Sequence, residues 1–232
     1  MKKYISSVIV GAAFILLSAS CGKDTEGMTD ITYYPVLELN GNSTEIITAG
    51  QSFADPGASA TLNGEDVTDQ IKVVTSLDFN DPKPGYYSVN YTITNADGFA
   101  SSVSRMVLVT DPDEPATGFY TVATDSFRDY NGTTYFGGYS MLIYGDGNGN
   151  YTVSDLLGGW YEFRAGYGPS YAMSGIVNIA ADGSMTLTQS LIPGWGYTAD
   201  DFKDASFDAA TKTVKWYVTM QGISWQVNAT QN

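Results

Sequence analysis

The 232-residue chain contains no histidine and one cysteine, Cys21, and only 11 Lys and Arg stand against 25 Asp and Glu. Each scarcity removes a class of chemistry. Without histidine there is no Ser-His-Asp or Cys-His catalysis and no imidazole ligand for zinc, iron or copper. A lone cysteine excludes an internal disulfide and a thiolate zinc cluster. The acidic excess repels phosphate backbones, so no nucleic acid partner is expected, and an anionic membrane surface would not hold the chain by charge. A sustained apolar period of 3.6 residues is also missing. Apolar residues mostly alternate between Gly, Asn and Asp turn makers, which is the pattern of strands.

What is present begins with a leader. Lys2 and Lys3 precede an apolar run from Val8 to Leu17, broken by Gly11 and followed by Ser18, Ala19 and Ser20. Residues 1–20 therefore read as an export signal, shorter than the roughly 20 apolar residues of a bilayer span. Cys21 follows at once. This arrangement resembles a bacterial lipobox in the relaxed form of Bacteroidetes lipoproteins, with Ser18 where Leu is usual. Gly22, Lys23, Asp24, Thr25 and Glu26 resemble the acidic stretch that sends such proteins to the cell exterior. The resemblance implies acylation of Cys21, a flexible tether over residues 21–32, and outer-membrane attachment by the lipid anchor only. Each buried acyl methylene would contribute roughly 0.8 kcal/mol.

The rest divides in two. Thr110-Asp111-Pro112-Asp113-Glu114-Pro115 packs two prolines and three acids into six residues, so a stiff, solvated linker is expected over 111–117. It separates a unit at 33–110 from one at 118–232. Residues 115–232 hold 21 of the 31 aromatic residues and all four tryptophans. In the first unit, Tyr86 to Thr94 and Val103 to Val109 alternate clearly, with Asn95-Ala96-Asp97-Gly98 as the turn between them. Shorter strands fit Val36 to Leu39, Glu45 to Thr48 and Ile71 to Thr75. So many short strands in about 80 residues predict a β-sandwich.

Three motifs in this unit carry a specific resemblance. Phe53-Ala54-Asp55-Pro56-Gly57-Ala58, Pro84-Gly85-Tyr86-Tyr87 leading to Val89-Asn90-Tyr91-Thr92, and Asn95-Ala96-Asp97-Gly98 are similar in order and spacing to a bacterial Ig-like module of surface proteins. The module's usual Asn after the last Gly is Phe99 here. The resemblance implies an Ig-like sandwich serving as spacer or adhesive unit.

The second unit reads as a series of hairpins. Gly118 to Val122 opens it; Tyr139 to Tyr144 returns through Gly145 to Asn150 into Tyr151 to Val153; Ile176 to Ala180 turns at Asp182-Gly183 into Met185 to Thr188. Val214, Trp216 and Val218 face Ile223, Trp225 and Val227 across Gly222. Such neighbours predict an antiparallel β-barrel or meander sandwich of about eight strands, giving an all-β chain.

Trp216 and Trp225 alternate with polar residues and read as core. Trp160 and Trp195 sit among glycines, in Gly158-Gly159-Trp160-Tyr161 and Pro193-Gly194-Trp195-Gly196-Tyr197. Such rings either stand exposed as ligand platforms or else plug a barrel end or fill the inter-domain contact, and the sequence leaves both readings open. Exposed, they would make Trp160, Tyr161, Arg164, Tyr167, Trp195 and Tyr197 the contacts for an oligosaccharide or a peptide, with Tyr171 on the same rim. Asp146, Asn148 and Asn150 alternate oxygens as a calcium loop does, yet the same run makes a hairpin turn without metal. Glu162 with Asp155 or Asp129 is the only aromatic-flanked carboxylate choice for glycoside hydrolysis, and no spacing demands it. Asp200, Asp201 and Asp204 read as a solvated turn or helix start. No catalytic residue, cofactor or resident metal is expected.

The whole layout resembles the small accessory lipoproteins of Bacteroides nutrient uptake, and the second half resembles a Bacteroides family of uncharacterised domain function. The resemblance implies a non-catalytic surface lipoprotein accompanying a TonB-dependent porin and its lid lipoprotein, of the SusC and SusD type. The alternative is a structural or adhesive lipoprotein, which predicts an exposed apolar patch in place of a groove.

Overall fold

A computed structural model describes residues 31–232. The export signal, Cys21 and nearly all of the tether lie outside the described residues. The described residues are all-β, with 17 strands and three helical turns of three to five residues. Among the described residues no helix is long and apolar enough to cross a membrane.

The first unit is an Ig-like pair of sheets. One contains β1 (Val36–Leu39), β3 (Ala58–Leu62) and β4 (Glu65–Asp66); the other contains β2 (Thr44–Thr48), β7 (Ala100–Thr110), β6 (Gly85–Thr94) and β5 (Lys72–Val74). Strand β2 runs parallel to β7, and the remaining pairs are antiparallel. The alternation of β6 puts Val89, Tyr91 and Ile93 in the core against Leu37, Ala60 and Val107.

The Asp-Pro-Gly-Ala motif has a specific task there. Arg105 on β7 is fully buried, and Asp55 of the motif accepts hydrogen bonds from its guanidinium and from the Tyr91 hydroxyl. Arg105 also donates from Nε to Asn42 O (2.9 Å) and from Nη2 to Asn40 O and Gly57 O. A buried cation is thereby paired and saturated, which is the condition for its being tolerated.

The second unit is one antiparallel sheet of ten strands that curls on itself. Its continuous path is β10 (Thr133–Phe136), β9 (Ser126–Asp129), β17 (Ile223–Gln231), β8 (Gly118–Val122), β11 (Ser140–Gly145), β12 (Asn150–Val153), β13 (Ser174–Ile179) and β14 (Met185–Leu191). β16 (Thr213–Met220) pairs β17 on one side and β15 (Asp201–Asp208) on the other. The curl brings β15 back beside β14, where an isolated bridge joins Ser184 and Ser206. Eight strands thus form a nearly closed ring around Trp216, Trp225, Met173, Leu156 and Ile143. Strand β17 also pairs β9, so the β9–β10 hairpin branches outward.

Two expectations need correction. The acidic segment at 200–208 is a strand, not a turn or helix start, because Phe202 and Phe207 both pack against the core, contacts that its charges conceal. The linker is solvated only in part: Glu114, Ala116 and Thr117 are buried. Glu114 Oε1 accepts N–H bonds from Gly147 (2.9 Å) and Gly149 (3.2 Å), so the β11–β12 turn folds over the linker carboxylate.

Candidate functional site

Trp195 and the tyrosines around it lie at the end of the ring opposite the linker. β14 and β15 connect the two ends: Asp113 and Pro115 share a recess with Asp182 and Asp208 near one pair of termini, while the Ile192–Tyr197 loop joins the other pair. That loop is tight. The N–H groups of Gly196 and Trp195 donate to Ile192 O, and Ile192 N–H donates to Tyr197 O. The opposing loop, residues 155–173, follows β12 and carries Tyr161, Tyr167 and Tyr171. Gly194 N–H donates to Ser170 O at 2.7 Å and ties the two loops together. A side chain at position 194 would sit 2.7 Å from the Tyr171 ring, so glycine is what permits this approach.

Trp195 is the centre of the resulting patch. Its ring centroid is 4.8 Å from Tyr161 and from Tyr171, and 5.9 Å from Tyr167 and from Tyr197. Most of these contacts are edge-to-face, the arrangement favoured by ring quadrupoles. Trp195 keeps 36% of its surface exposed, and Tyr167 and Tyr197 are more exposed still. Burial raises the Tyr161 hydroxyl above the ordinary tyrosine range.

Trp160 does not join them. It is only 9% exposed and packs edge-on against Phe136 of β10 at 5.1 Å. Consecutive left-handed residues, Gly158 and Gly159, reverse the chain just before it, and a five-residue π turn from Trp160 to Arg164 follows. The reversal drops Trp160 inward while Tyr161 remains with the patch. Of the two readings open for the loop tryptophans, Trp160 takes the plug and Trp195 the exposed position.

Two arginines flank the plug. The guanidinium of Arg164 lies 4.5 Å from the Trp160 ring centroid and that of Arg128 lies 5.1 Å away. Arg128 also stands over Tyr130 and Trp225, and its Nε is buried without a hydrogen-bond partner. Ring faces therefore supply its electrostatic compensation. Arg128 escaped the sequence reading, although it occurs in Phe127-Arg128-Asp129-Tyr130, where aromatic flanks were visible.

Asp155 holds the plug loop from below. The side chain is 3% exposed and accepts backbone N–H bonds from Leu157 (2.9 Å), Gly159 (2.8 Å) and Met173 (3.0 Å). Desolvation dominates its titration and moves its pKa up to about 6, despite these bonds. A carboxylate so engaged is a structural anchor. Desolvation also raises the neighbouring Glu162 above the usual carboxylate range.

The Asp146–Asn150 loop is likewise built as a turn. Asp146 accepts from the backbone N–H groups of Asn148 and Asn150 and from Asn150 Nδ2. Its oxygens thus serve the loop's own amides, and no group of three or more acidic or cysteine side chains converges as a metal site among the described residues.

Recesses of about 610 Å³ near the linker and about 790 Å³ between β14 and β15 are lined by residues other than those of the patch. What fold and patch together define is a two-unit surface-module architecture: an Ig-like unit carrying a curled antiparallel sheet with an aromatic end. Residues 37–109 match the bacterial surface protein Ig-like domain, and residues 110–231 match the BT2262-like C-terminal domain. The crystal structure of the lipoprotein BT2262 from Bacteroides thetaiotaomicron is 38% identical, with a TM-score of 0.73, covering 85% of this chain and all of that one. The chain belongs to the BT2262-like lipoprotein family. Two structures of Clostridium perfringens ZmpB that include CBM51 domains also align, at 14% identity. They cover 86% and 85% of this chain, and 21% and 43% of theirs, but TM-scores of 0.28 and 0.27 carry no argument. No curated protein matches the sequence.

Proposed function

We propose that the protein is a non-catalytic lipoprotein of the outer-membrane surface that captures an oligosaccharide or peptide through the patch around Trp195. In this reading Cys21 is the acylated anchor, the Ig-like unit is a stalk, and the protein is an accessory of a TonB-dependent importer with its porin and lid lipoprotein. The observation that carries it is the position of Trp195: a partly exposed indole amid four tyrosines, at the end of the second unit away from the linker. Rings with hydroxyl edges suit the apolar face of a sugar or a peptide side chain. Tyr161, Tyr167 and Tyr197 supply the surrounding contacts. Arg164 adds an exposed cation on the same loop, and Trp160 acts through the loop it anchors.

A second reading, docking onto another protein, is favoured by the shape of the patch. Its rings form an exposed surface, and the larger recesses open elsewhere. Both readings place the contact on Trp195, and a binding experiment separates that residue from the plug. Replacing Trp195 by Ala should weaken binding of a glycan or peptide, found by screening the wild type, about tenfold or more without unfolding the protein. Trp160→Ala should instead lower stability by about 3 kcal/mol or more. Wild-type affinity in Trp195→Ala would overturn the assignment.

A further inference from the structure

The ring of eight strands has one open seam, between β14 and β15. Both strands are paired on one side only, β14 to β13 and β15 to β16. They touch at both ends. At one end lies the Ser184–Ser206 bridge, with Phe207 N–H donating to Gly183 O; at the other Ala199 N–H reaches Ser190 Oγ and Ile192 N–H reaches Tyr197 O, each at 2.8 Å. Between those ends no ladder joins them, and a groove of about 790 Å³ is lined by 185–191 and 198–202.

Two β-bulges border the opening. Strand β14 carries an extra residue at Thr188, where the register slips between Ile176 pairing Gln189 and Val177 pairing Leu187. Strand β15 carries an extra residue at Asp204-Ala205, between Lys203 pairing Tyr217 and Ser206 pairing Lys215. Asp204 has a φ of 49°, a left-handed conformation in a non-glycine residue. Counting from the Ser184–Ser206 bridge, the β15 bulge lies one to two residues away and the β14 bulge four. Each bends its strand, so the two edges part where they would otherwise pair.

We propose that this seam accepts an extended peptide segment bearing basic residues, which adds a strand between β14 and β15 and completes the ring. Main-chain pairing to two facing edges supplies affinity independent of most side chains. The charge of the groove selects the partner: Asp200 and Asp201 line it, Asp204 stands on the adjoining bulge, and no Lys or Arg is among the lining residues. Lys203 pairs with Asp201 at 3.2 Å, and Asp200 accepts from Gln221 N–H, which leaves the carboxylates in excess. Neither Trp195 nor its tyrosines line the seam, although the 192–197 loop that carries Trp195 closes one end of it.

The test uses hydrogen exchange on the full-length chain with three synthetic peptides: acetyl-Lys-Thr-Val-Thr-Lys-amide, its Glu-for-Lys counterpart, and the Lys peptide N-methylated at alternate residues. The Lys peptide should slow exchange of β14 and β15 amides about tenfold, and the Glu peptide should bind about tenfold more weakly. The N-methylated peptide should protect nothing, because it lacks the donors that a ladder requires. Asp201→Lys should weaken the Lys peptide several-fold. Equal binding of the N-methylated peptide, no protection at millimolar peptide, or a seam already closed by self-association that dissociates on dilution would each overturn the proposal.

Discussion

Asp155→Ala should destabilise the second unit by about 3 kcal/mol near pH 5, since three buried N–H groups, of Leu157, Gly159 and Met173, lose their common acceptor. Asp155→Asn should lose less, because Oδ1 can still receive Leu157 and Met173 and only the Gly159 bond is replaced by an opposed donor. The pH dependence separates this account from simple packing loss. The folded carboxyl titrates at about 6 against an ordinary 3.8, with desolvation as the leading cause. A raised acid pKa means that the folded state holds the proton more tightly. Its stability contribution is therefore full below about pH 4 and falls as pH rises through 6, by roughly 3 kcal/mol in all. Urea titrations between pH 4 and 7 should show that decline in the wild type and a flatter profile in Asp155→Asn. Parallel profiles would mean that Asp155 is not the titrating anchor.

Arg105→Ala and Asp55→Ala should each destabilise the Ig-like unit by about 3 to 5 kcal/mol, because each leaves a buried group unpaired. Removal of Asp55 strands a guanidinium with no exposed surface, while removal of Arg105 strands the carboxylate and the carbonyls of Asn40, Asn42 and Gly57. The double variant Asp55→Ala with Arg105→Met should lose much less than the sum, since the charge and its partner leave together. Additive losses measured by denaturant titration would show that the two side chains act independently and that the motif has another purpose. Tyr91 belongs to the same network; burial and the Asp55 carboxylate both push its hydroxyl above the ordinary tyrosine range.

The strands that were legible are those whose faces separate cleanly. β6 and β7, with the four-residue turn between them, follow from alternation, and so do β16 and β17, because their inner positions are Val and Trp. β15 was concealed since Asp200, Asp201, Lys203 and Asp204 mask its phenylalanines, and its pairing to β16 is a tertiary fact. The β9–β10 hairpin carries only one sequence mark, the Asn131-Gly132 turn signal. At the candidate site, glycine neighbours marked both loop tryptophans as unusual but could not give their direction. That direction depends on the left-handed pair at Gly158-Gly159 in one loop and on the Gly194–Tyr171 contact in the other. The seam was illegible for a related reason, since a bulge is a mismatch between two strands and neither sequence contains it alone.

The most direct test of the account is recovery from the native cell. The protein and its Trp195→Ala variant would be tagged, the outer membrane gently solubilised, and the co-purifying species identified together with any bound glycan or peptide. The account predicts a porin and lid lipoprotein in near-equal amounts with the wild type, and a ligand recovered with the wild type but lost from Trp195→Ala. Recovery of the protein alone, with no ligand difference between the two, would contradict it.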